Sequence, residues 1–317
     1  MHPQARWFPV LSTVMSILIL ACDTSVPRSS ATVAPPGATA AITGTTASSR
    51  APSPTASRTT APAETPTPSP PPNSLAALTH CTGRPASANR GSSVERGSTW
   101  SGYVAAQPPA SFSCVEAGWV EPEITCGAGD SAVGIWVGIG GYTSVDLGIF
   151  DDGRALERAG TGVDCESGSA KHYAWHQAEP HDASDQPFSP DPTQHGEMVI
   201  GAGDRIWAQV RYGDGAYQMT VANLSTEEAR SSSQASTGNR RSSAEWVVSG
   251  EEGEALARFS VVTFTGGLST MAGEAGAIGS ASWRRNEVDE WSGGFRRLRV
   301  SALSADNASF RVTWLHR

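Results

Sequence analysis

A succession of short apolar segments, separated by glycine-rich turns, constrains this chain more than any other feature of its sequence. From Trp100 onward, no useful length of chain repeats its apolar residues with the 3.6-residue period of a helix. Residues 133–139 are apolar almost throughout, which is typical of a strand that is buried on both faces. Many short strands joined by such turns predict an all-β fold, a β-sandwich of two packed antiparallel sheets.

Alternating segments place further strands within this predicted sandwich. Residues 204–212 alternate, and residues 213–215 turn the chain into a returning strand over residues 217–221. The residues predicted to share one face of the first of these strands are Ile206, Ala208, Val210 and Tyr212. Other predicted strands cover residues 115–120 and 258–264, and a last hairpin joins residues 298–303 to residues 309–315.

The composition argues against a nucleic-acid partner. The chain of 317 residues has a formal net charge of −8, and its basic residues form no run longer than arginine pairs such as Arg240-Arg241. Domains that bind nucleic acid usually carry a basic patch or stripe. The length fits one large β domain and a linker, and we expect this domain to be a monomer.

The first 21 residues have the pattern of a signal peptide. Arg6 precedes an apolar run over residues 8–20, which is too short to cross a bilayer as a helix. The run ends in Leu20-Ala21-Cys22, which resembles a bacterial lipobox, whose cysteine becomes the lipidated N-terminus. We therefore interpret residues 1–21 as a lipoprotein-type signal peptide that is removed, and Cys22 as the lipidated residue that anchors an exported chain to the outer side of the cell membrane. The alternative is an ordinary secretory signal and a secreted chain.

A low-complexity stretch follows the predicted lipidation site. Residues 22–96 are dominated by Ser, Thr, Ala and Pro and show no apolar periodicity. Such a stretch buries too little apolar surface to offset its chain entropy, so we predict a disordered tether. Residues 97–317 then form the predicted β domain.

Four cysteines remain once Cys22 is set aside. An even number in an exported chain predicts two disulfides, for which three connectivities exist. Cys126 precedes the strand over residues 133–139, and Cys165 follows the strand that begins near residue 156. We favour a Cys126–Cys165 bond, with Cys81 fastening the end of the tether to Cys114. Partly free thiols remain an alternative.

Four phrases of the β domain occur in a distinctive order. They are Gly-Ile-Trp-Val-Gly-Ile-Gly-Gly at residues 134–141, Leu-Glu-Arg-Ala-Gly at residues 156–160, Tyr-Ala-Trp-His-Gln-Ala-Glu-Pro at residues 173–180, and Ala-Glu-Trp-Val-Val-Ser at residues 244–249. Together they resemble the glutamic peptidases of the G1 (eqolisin) family. The resemblance implies a concanavalin A-like sandwich of the lectin/glucanase type, with a cleft in a concave sheet face.

The resemblance also implies altered chemistry. In that family a glutamate acts as general base and then as general acid, while a glutamine holds the water and stabilises the oxyanion. Arg158 falls on the glutamine and Ser249 on the glutamate, while Gln177 falls on a further family glutamate. A guanidinium remains protonated, and a serine needs an activating partner. We therefore predict that the peptidase chemistry is lost. Trp136 and Trp175 match positions that border the family's cleft.

Neighbouring carboxylates do not readily replace the missing base. Glu157 adjoins Arg158, but adjacent strand residues point to opposite faces. Glu245 has the same parity as Ser249, yet it lies roughly 13 Å away along the strand. Glu179 is our first candidate for a displaced carboxylate. A one-residue slip of the alignment in the loop before the second phrase would change these assignments.

We predict no metal ion or other cofactor. His172 and His176 invite a metal interpretation, but in a strand they stand about 13 Å apart, too far to share one ion. We expect them to be solvated polar residues.

Three functions remain open. The first is a tethered, catalytically degenerate domain that binds polypeptide or another extended polymer in the former cleft, where Arg158 offers a fork for carboxylates. The second is an active glutamic-type endopeptidase that hydrolyses proteins at acid pH with a displaced carboxylate. The third is a carbohydrate-binding module, suggested by the architecture that lectins share.

Overall fold

The computed structural model describes the greater part of the predicted β domain and a short piece of chain before it. The described residues are 75, 78–85, 92–97, 99–107, 111–142, 156–178, 186–187, 198–235, 240–250, 255–280 and 282–316. The predicted signal peptide, Cys22 and Glu179 lie outside them. Within these ranges, no helix combines the length and the apolar character that a membrane span requires.

Short strands account for most of the described chain. In chain order they are β1 (Arg84–Pro85), β2 (Ser92–Gly97), β3 (Trp100–Ala106), β4 (Phe112–Val120), β5 (Ile124–Thr125), β6 (Ser131–Gly140), β7 (Leu156–Glu166), β8 (Ser169–Ala178), β9 (Gln186–Pro187), β10 (Arg205–Gly213), β11 (Ala216–Asn223), β12 (Glu228–Ala235), β13 (Ser243–Ser249), β14 (Ala255–Leu256), β15 (Arg258–Phe259), β16 (Val262–Met271), β17 (Glu274–Ala277), β18 (Arg284–Ser292), β19 (Phe295–Arg296), β20 (Leu298–Val300) and β21 (Phe310–Trp314).

Two large sheets pack face to face. Sheet A has the strand order β1-β17-β16-β4-β10-β11-β12, and β21, which pairs with β20, joins it at β16. Sheet B has the order β19-β18-β3-β13-β6-β7-β8-β9, with β2 on β18 and β14 on β6. Most pairs are antiparallel, and the exceptions are the short β1–β17 and β6–β14 pairs and the edge pair β2–β18. The predicted β-sandwich is confirmed.

The core lies between the sheets and takes alternate residues from each strand. On β6 these are the odd-numbered residues from Val133 to Ile139, and on β10 they include Ile206 and Val210. Because side chains alternate along a strand, the even-numbered residues of β6 lie on the outer face of sheet B. That alternation places the candidate site.

The predicted hairpin between β10 and β11 is confirmed. Gly213 pairs with Ala216, so Asp214 and Gly215 form a two-residue loop. Both have positive φ, 51° and 79°, as a type I′ turn requires. The strand predicted over residues 258–264 is wrong as a continuous element. Its first two residues pair with β5, and the chain crosses to sheet A before β16 begins.

Both predicted disulfides are present. Cys81 is bonded to Cys114 on β4, and Cys126 is bonded to Cys165 on β7, with Cα–Cα distances of 5.6 and 5.4 Å. The bonds close loops with sequence separations of 33 and 39 residues. In the chain-entropy model, loops of this size stabilise the fold by about 3–4 kcal/mol each.

The sandwich begins earlier than the composition suggested. Residues 78–85, here called the strap, cross the outer face of sheet A, and β2 pairs with β18 of sheet B. The predicted tether therefore includes too much chain at its C-terminal end. The Ser/Thr/Pro-rich composition of this range gave no sign of the strap, because the contacts that hold the strap come from strands distant in the sequence.

A buried carboxylate on β4 holds the strap. Glu116 Oε2 accepts hydrogen bonds from the backbone N of Cys81 and from Gln209 Nε2, both at 2.7 Å. Nδ1 of His80 lies 2.8 Å from Glu116 Oε1. Arg211 Nη2 donates to two strap carbonyls, at 2.8 and 2.9 Å. The strap thus makes part of the outer face of sheet A into interior.

Candidate functional site in the outer face of sheet B

Cross-strand rows on the outer face of sheet B bring the predicted site residues together. In one row, Glu245 on β13, Gly138 on β6, Arg158 on β7 and Gln177 on β8 are successive partners. Directly paired residues share a face of the sheet, so these side chains all point outward. The sequence alone placed them on separate strands, and the register places them side by side.

The next two rows complete the site. One contains Val247, Trp136, Gly160 and Trp175, and the other contains Ser249, Gly134, Gly162 and Tyr173. Ser249 therefore lies two rows from Arg158, with the row of Trp136 between them.

Glycines form the floor under the large side chains. A Cβ on Gly160 would lie 2.0 Å from the carbonyl oxygen of Ile135 and 2.7 Å from the Cα of Trp136. A Cβ on Gly162 would lie 2.5 Å from Cζ of Tyr173, so this ring lies across the glycine. Gly160 and Gly162 are thus required by the close approach of backbone and rings.

Arg158 is held in place by its neighbours. Its Nε donates to Oε1 of Gln177. Its Cζ lies 5.0 Å from the ring centroid of Trp175 and 5.3 Å from that of Trp136, within the range of cation–π attraction. The guanidinium is a fixed positive charge with two indoles beside it.

The tryptophans form the base of the site. Trp136 is 4% exposed and Trp175 is 2% exposed, in a cluster with Val247. Part-exposed Trp100, Tyr173 and Leu156 pack against this cluster. Both tryptophans lie on the outer face that carries Arg158 and Ser249, and their place at the border of a cleft stays a prediction. Only the part-exposed residues that pack against them reach the surface of this face.

Ser249 is bonded to an indole. Trp136 Nε1 donates to Ser249 Oγ at 3.0 Å. An indole N–H is a donor with no acceptor function, so it cannot take the proton of a serine hydroxyl. This contact orients Ser249 without activating it as a nucleophile.

Two glutamates near the site occupy different faces. Glu245 is buried on the outer face and accepts a hydrogen bond from Ser243 Oγ at 3.0 Å. Glu157 is fully buried and pairs with Ala178, one position away from Arg158 and on the opposite face. The predicted alternation around Arg158 is confirmed.

A polar network behind the site escaped the sequence analysis. The side chain of Glu121 is fully buried, and its Oε1 is 2.9 Å from Nδ1 of His172. Glu121 also accepts a hydrogen bond from Thr161 Oγ1 at 2.7 Å. Trp119 Nε1 donates to the same threonine oxygen at 3.2 Å. The network ties the β7–β8 hairpin to β4 of sheet A. The expectation that His172 is solvated is therefore wrong, because its partner lies on the other sheet.

A second polar cluster lies at the other end of the same outer face. Glu95 on β2 accepts hydrogen bonds from Asn286 Nδ2, at 2.8 Å, and from the hydroxyl of Tyr142. The rings of Tyr142 and Trp100 meet edge to face at 6.1 Å. Trp100 also packs against the Trp136 cluster, so the two ends form one continuous surface. Glu95 lies within residues 22–96, the range predicted to be a disordered tether.

The described residues contain one close group of potential metal ligands, Cys81, Cys114 and Glu116. The two cysteines form a disulfide, and Glu116 holds the strap. A disulfide sulfur is not a thiolate, which is the form that binds metals, so this group does not fit an ion.

The β domain matches the sequence model of a known protein family over most of its length. The model of the Peptidase A4 family matches residues 98–311. The chain belongs to the Peptidase A4 family, the G1 glutamic peptidases. The resemblance read from the four phrases is thereby confirmed. No curated protein sequence matches the chain significantly.

Two solved structures of this family share the fold with TM-scores above 0.5. Scytalido-glutamic peptidase, solved with a peptide-based transition state analog, aligns with 21% identity and a TM-score of 0.52, over 69% of this chain and 98% of that chain. SCP-B, described as a member of the eqolisin family in complex with the tripeptide Ala-Ile-His, aligns with 20% identity, the same TM-score and the same coverage. Aspergilloglutamic peptidase from Aspergillus niger matches 58% of this chain with 25% identity and a TM-score of 0.46.

Proposed function

We propose that this family member is catalytically degenerate and binds polypeptide, or another extended polymer, across the outer face of sheet B. The observation that carries the proposal is the pair of substituted positions. Arg158 stands where the family resemblance places the catalytic glutamine, and Ser249 stands where it places the glutamate. Arg158 lies against two indoles, and Ser249 is hydrogen-bonded to one of them.

This arrangement supports binding better than hydrolysis. The family mechanism needs a carboxylate that alternates between base and acid, and neither substituted side chain offers one near neutral or acid pH. Glu245 lies in the row of Arg158, but it stands opposite Gly138, four residues from Ser249 on β13. That is roughly 13 Å along the strand, so Glu245 does not occupy the place of the lost base.

A polypeptide ligand fits the surface and the known relatives. The two relatives described above were solved with a peptide-based analog and with a tripeptide. In this chain Trp100, Tyr173 and Leu156 offer part-exposed apolar area along the face, and Arg158 offers a charge-assisted partner for carboxylates. An extended chain can use both at once.

An acid-pH digestion assay tests the loss of catalysis. We expect the purified protein to cleave denatured substrate protein no faster than the uncatalysed rate. Arg158→Gln and Ser249→Glu should each stay inactive, because each restores one half of the dyad. The double substitution is the smallest change that restores both groups.

Wild-type cleavage that survives both Arg158→Ala and Ser249→Ala would overturn the proposed degeneracy. Another carboxylate would then do the work. Glu245→Gln and Glu179→Gln, assayed in parallel, would show which.

A binding assay tests the proposed ligand. We expect an unfolded polypeptide to bind with an affinity that falls when Trp100 is changed to alanine. Val120→Ala is the matched control, because Val120 is exposed and lies on sheet A. Binding to a glycan array with no binding to polypeptide would favour the carbohydrate-binding alternative.

We also propose that the domain is displayed at the outer side of the cell membrane through a lipid on Cys22. The support is the Leu20-Ala21-Cys22 ending of a short apolar run and the low-complexity chain that follows it. Cys22→Ser should release the protein from the membrane fraction or leave it unprocessed. Unchanged membrane association would contradict the anchor.

A further inference from the structure

The polar cluster around Glu95 has the chemistry of a cation subsite. We propose that Glu95, with Trp100 and Tyr142, binds a positively charged group of the polymer. Arg158 binds an acidic group at the other end of the same face. This inference rests on the proposed polymer binding and specifies which polymer is preferred, an extended polypeptide segment with a basic group at one end and an acidic group at the other.

The Glu95 carboxylate is held in a fixed orientation. Asn286 Nδ2 donates to Oε1 at 2.8 Å, and the hydroxyl of Tyr142 donates to Oε2. Asn286 is fully buried, and its own oxygen accepts a hydrogen bond from Ser93. A carboxylate whose geometry is set in advance loses little entropy when a cation binds to it.

An aromatic wall stands beside this carboxylate. Tyr142 is largely buried under its contact with Glu95, and the ring of Trp100 meets it edge to face. Trp100 and Glu95 are both part-exposed. Trp100 meets the ring of Tyr142, and the hydroxyl of Tyr142 bonds Glu95, so the carboxylate and both rings lie along one part of the face. The carboxylate attracts an ammonium or guanidinium group through its charge, and an aromatic ring attracts the same group through its quadrupole.

The distance between Glu95 and Arg158 across the sheet sets the length of peptide that can reach both residues. The strand order runs β7-β6-β13-β3-β18, and β2 pairs with β18, so Glu95 and Arg158 are five strand positions apart. Five spacings amount to roughly 24 Å along the sheet, which about seven residues of extended peptide span. Trp100 on β3 lies within this interval and is part-exposed, and it packs against the buried cluster of Trp136, Trp175 and Val247.

The competing explanation is that Glu95 only fastens the edge strand β2. Glu95→Gln separates the two, because glutamine keeps an acceptor oxygen for Asn286 or Tyr142 and loses the charge. A fastening role predicts a lower melting temperature and equal loss of affinity for all ligands. A subsite predicts a loss confined to ligands that carry the cation.

Four synthetic heptapeptides provide the test. Blocked at both termini, they share an uncharged apolar centre and carry Lys at position 1 with Glu at position 7, Lys alone, Glu alone, or neither. Their affinities are measured by titration calorimetry at low ionic strength. We expect wild type to bind the Lys/Glu peptide roughly tenfold more tightly than the peptide with Glu alone, the gain from one fixed charge-assisted contact.

Variants of Glu95 and Arg158 show which residue causes the preference for each charged peptide position. Glu95→Gln should abolish the effect of Lys and leave affinity for the Glu-only peptide unchanged, whereas Arg158→Gln should abolish the effect of Glu. Glu95→Lys should reverse the preference at position 1, so that Glu there binds better than Lys. Glu123→Gln is the matched control, because Glu123 is exposed and its substitution removes the same charge from the segment between β4 and β5.

The outcomes separate this inference from the proposed function. If the uncharged peptide binds and Lys adds nothing, the cation subsite is overturned while polymer binding stands. The subsite is overturned in the same way if Glu95→Gln weakens the binding of all four peptides equally. If no peptide and no unfolded polypeptide binds, the proposed function fails and the subsite fails with it.

Discussion

The polar residues on the two outer faces of the sandwich differ in how far they are covered by other parts of the chain. On the outer face of sheet A, the strap covers part of β4 and β10. The Glu116 carboxylate there accepts hydrogen bonds from the backbone of the strap and from Gln209 of the sheet. On sheet B the outer face is built from glycines, with indoles laid over them, and Arg158 and Ser249 remain part-exposed. Part of one outer face has become interior, and the other is the face on which we propose that a polymer binds.

The contrast shows how one fold separates stability from function. On the covered face of sheet A, a disulfide and buried hydrogen bonds stabilise the fold, and the covered residues are not accessible to a ligand. A face that binds must keep polar groups available, so it depends on close backbone packing beneath them. Changes on sheet A should therefore alter stability alone, and changes on sheet B should alter stability where they touch the glycine floor and binding where they touch its surface.

The largest effect should come from the glycine floor. Gly160→Ala would place a Cβ 2.0 Å from the carbonyl oxygen of Ile135, a contact that only a backbone shift can relieve. We expect a loss of about 4 kcal/mol in the free energy of unfolding, or failure to fold. Chemical denaturation measures it. Gly213→Ala is the control, since a Cβ there meets nothing within 4 Å, and equal losses in both variants would contradict the close-packed floor.

The next effect should come from the strap. Replacing Cys81 and Cys114 together by serine should lower the free energy of unfolding by about 3 kcal/mol, because the closed loop is lost. Affinity for polypeptide, measured below the melting temperature, should stay at the wild-type value. A loss of affinity in this variant would show that the two faces are coupled, and the comparison would then fail.

A smaller effect should follow from Ser249→Ala. Trp136 Nε1 would lose its acceptor in a nearly buried position, which costs about 1 kcal/mol. Thermal unfolding and tryptophan fluorescence measure the change. Ser260→Ala, at an exposed position between β15 and β16, is the control. No change in either measurement for Ser249→Ala would mean that this hydrogen bond is replaced by water.

The smallest effect concerns pH at the edge of sheet B. Burial raises the pKa of Glu290 above its ordinary value of 4.5, although Arg297 Nη1, 3.0 Å from Oε1, works in the opposite direction. With a raised folded-state pKa, the contribution of this group to stability is fully present below 4.5 and is lost as pH rises through the folded pKa.

Glu290→Gln should therefore gain stability relative to wild type as the pH rises from about 4 to 7. Melting temperatures of both proteins across this range provide the measurement. A difference between the two proteins that stays constant with pH would contradict the raised pKa.

Local patterns were enough to determine much of this protein. The alternation over residues 204–212, the Asp-Gly turn after it and the apolar run at β6 predicted strands and hairpin correctly, because strand periodicity and turn conformation depend on neighbouring residues. The disulfide pairing followed from the order of those strands. Four sequence motifs identified the family. The alternation of side chains along a strand was enough to predict that Arg158 and Glu157 point to opposite faces of the sheet.

Some strands could not be predicted from local pattern. Strand β12, which reads Glu-Ala-Arg-Ser-Ser-Ser-Gln-Ala, has little apolar alternation, yet it pairs with β11 along its whole length. An open sheet edge supplies backbone donors and acceptors to any chain that lies beside it, so pairing can outweigh propensity.

Tertiary structure alone decided the contacts that make the site. Glu95 and Asn286 are 191 residues apart, and Glu121, which directly follows β4 of sheet A, meets His172 on β8 of sheet B. The burial of Trp136 and Trp175 beneath Arg158 likewise depends on the register of three strands. Each contact requires that segments far apart in the chain be packed first. Sequence periodicity places a residue on a face of a strand, and only the assembled sheets determine what it meets there.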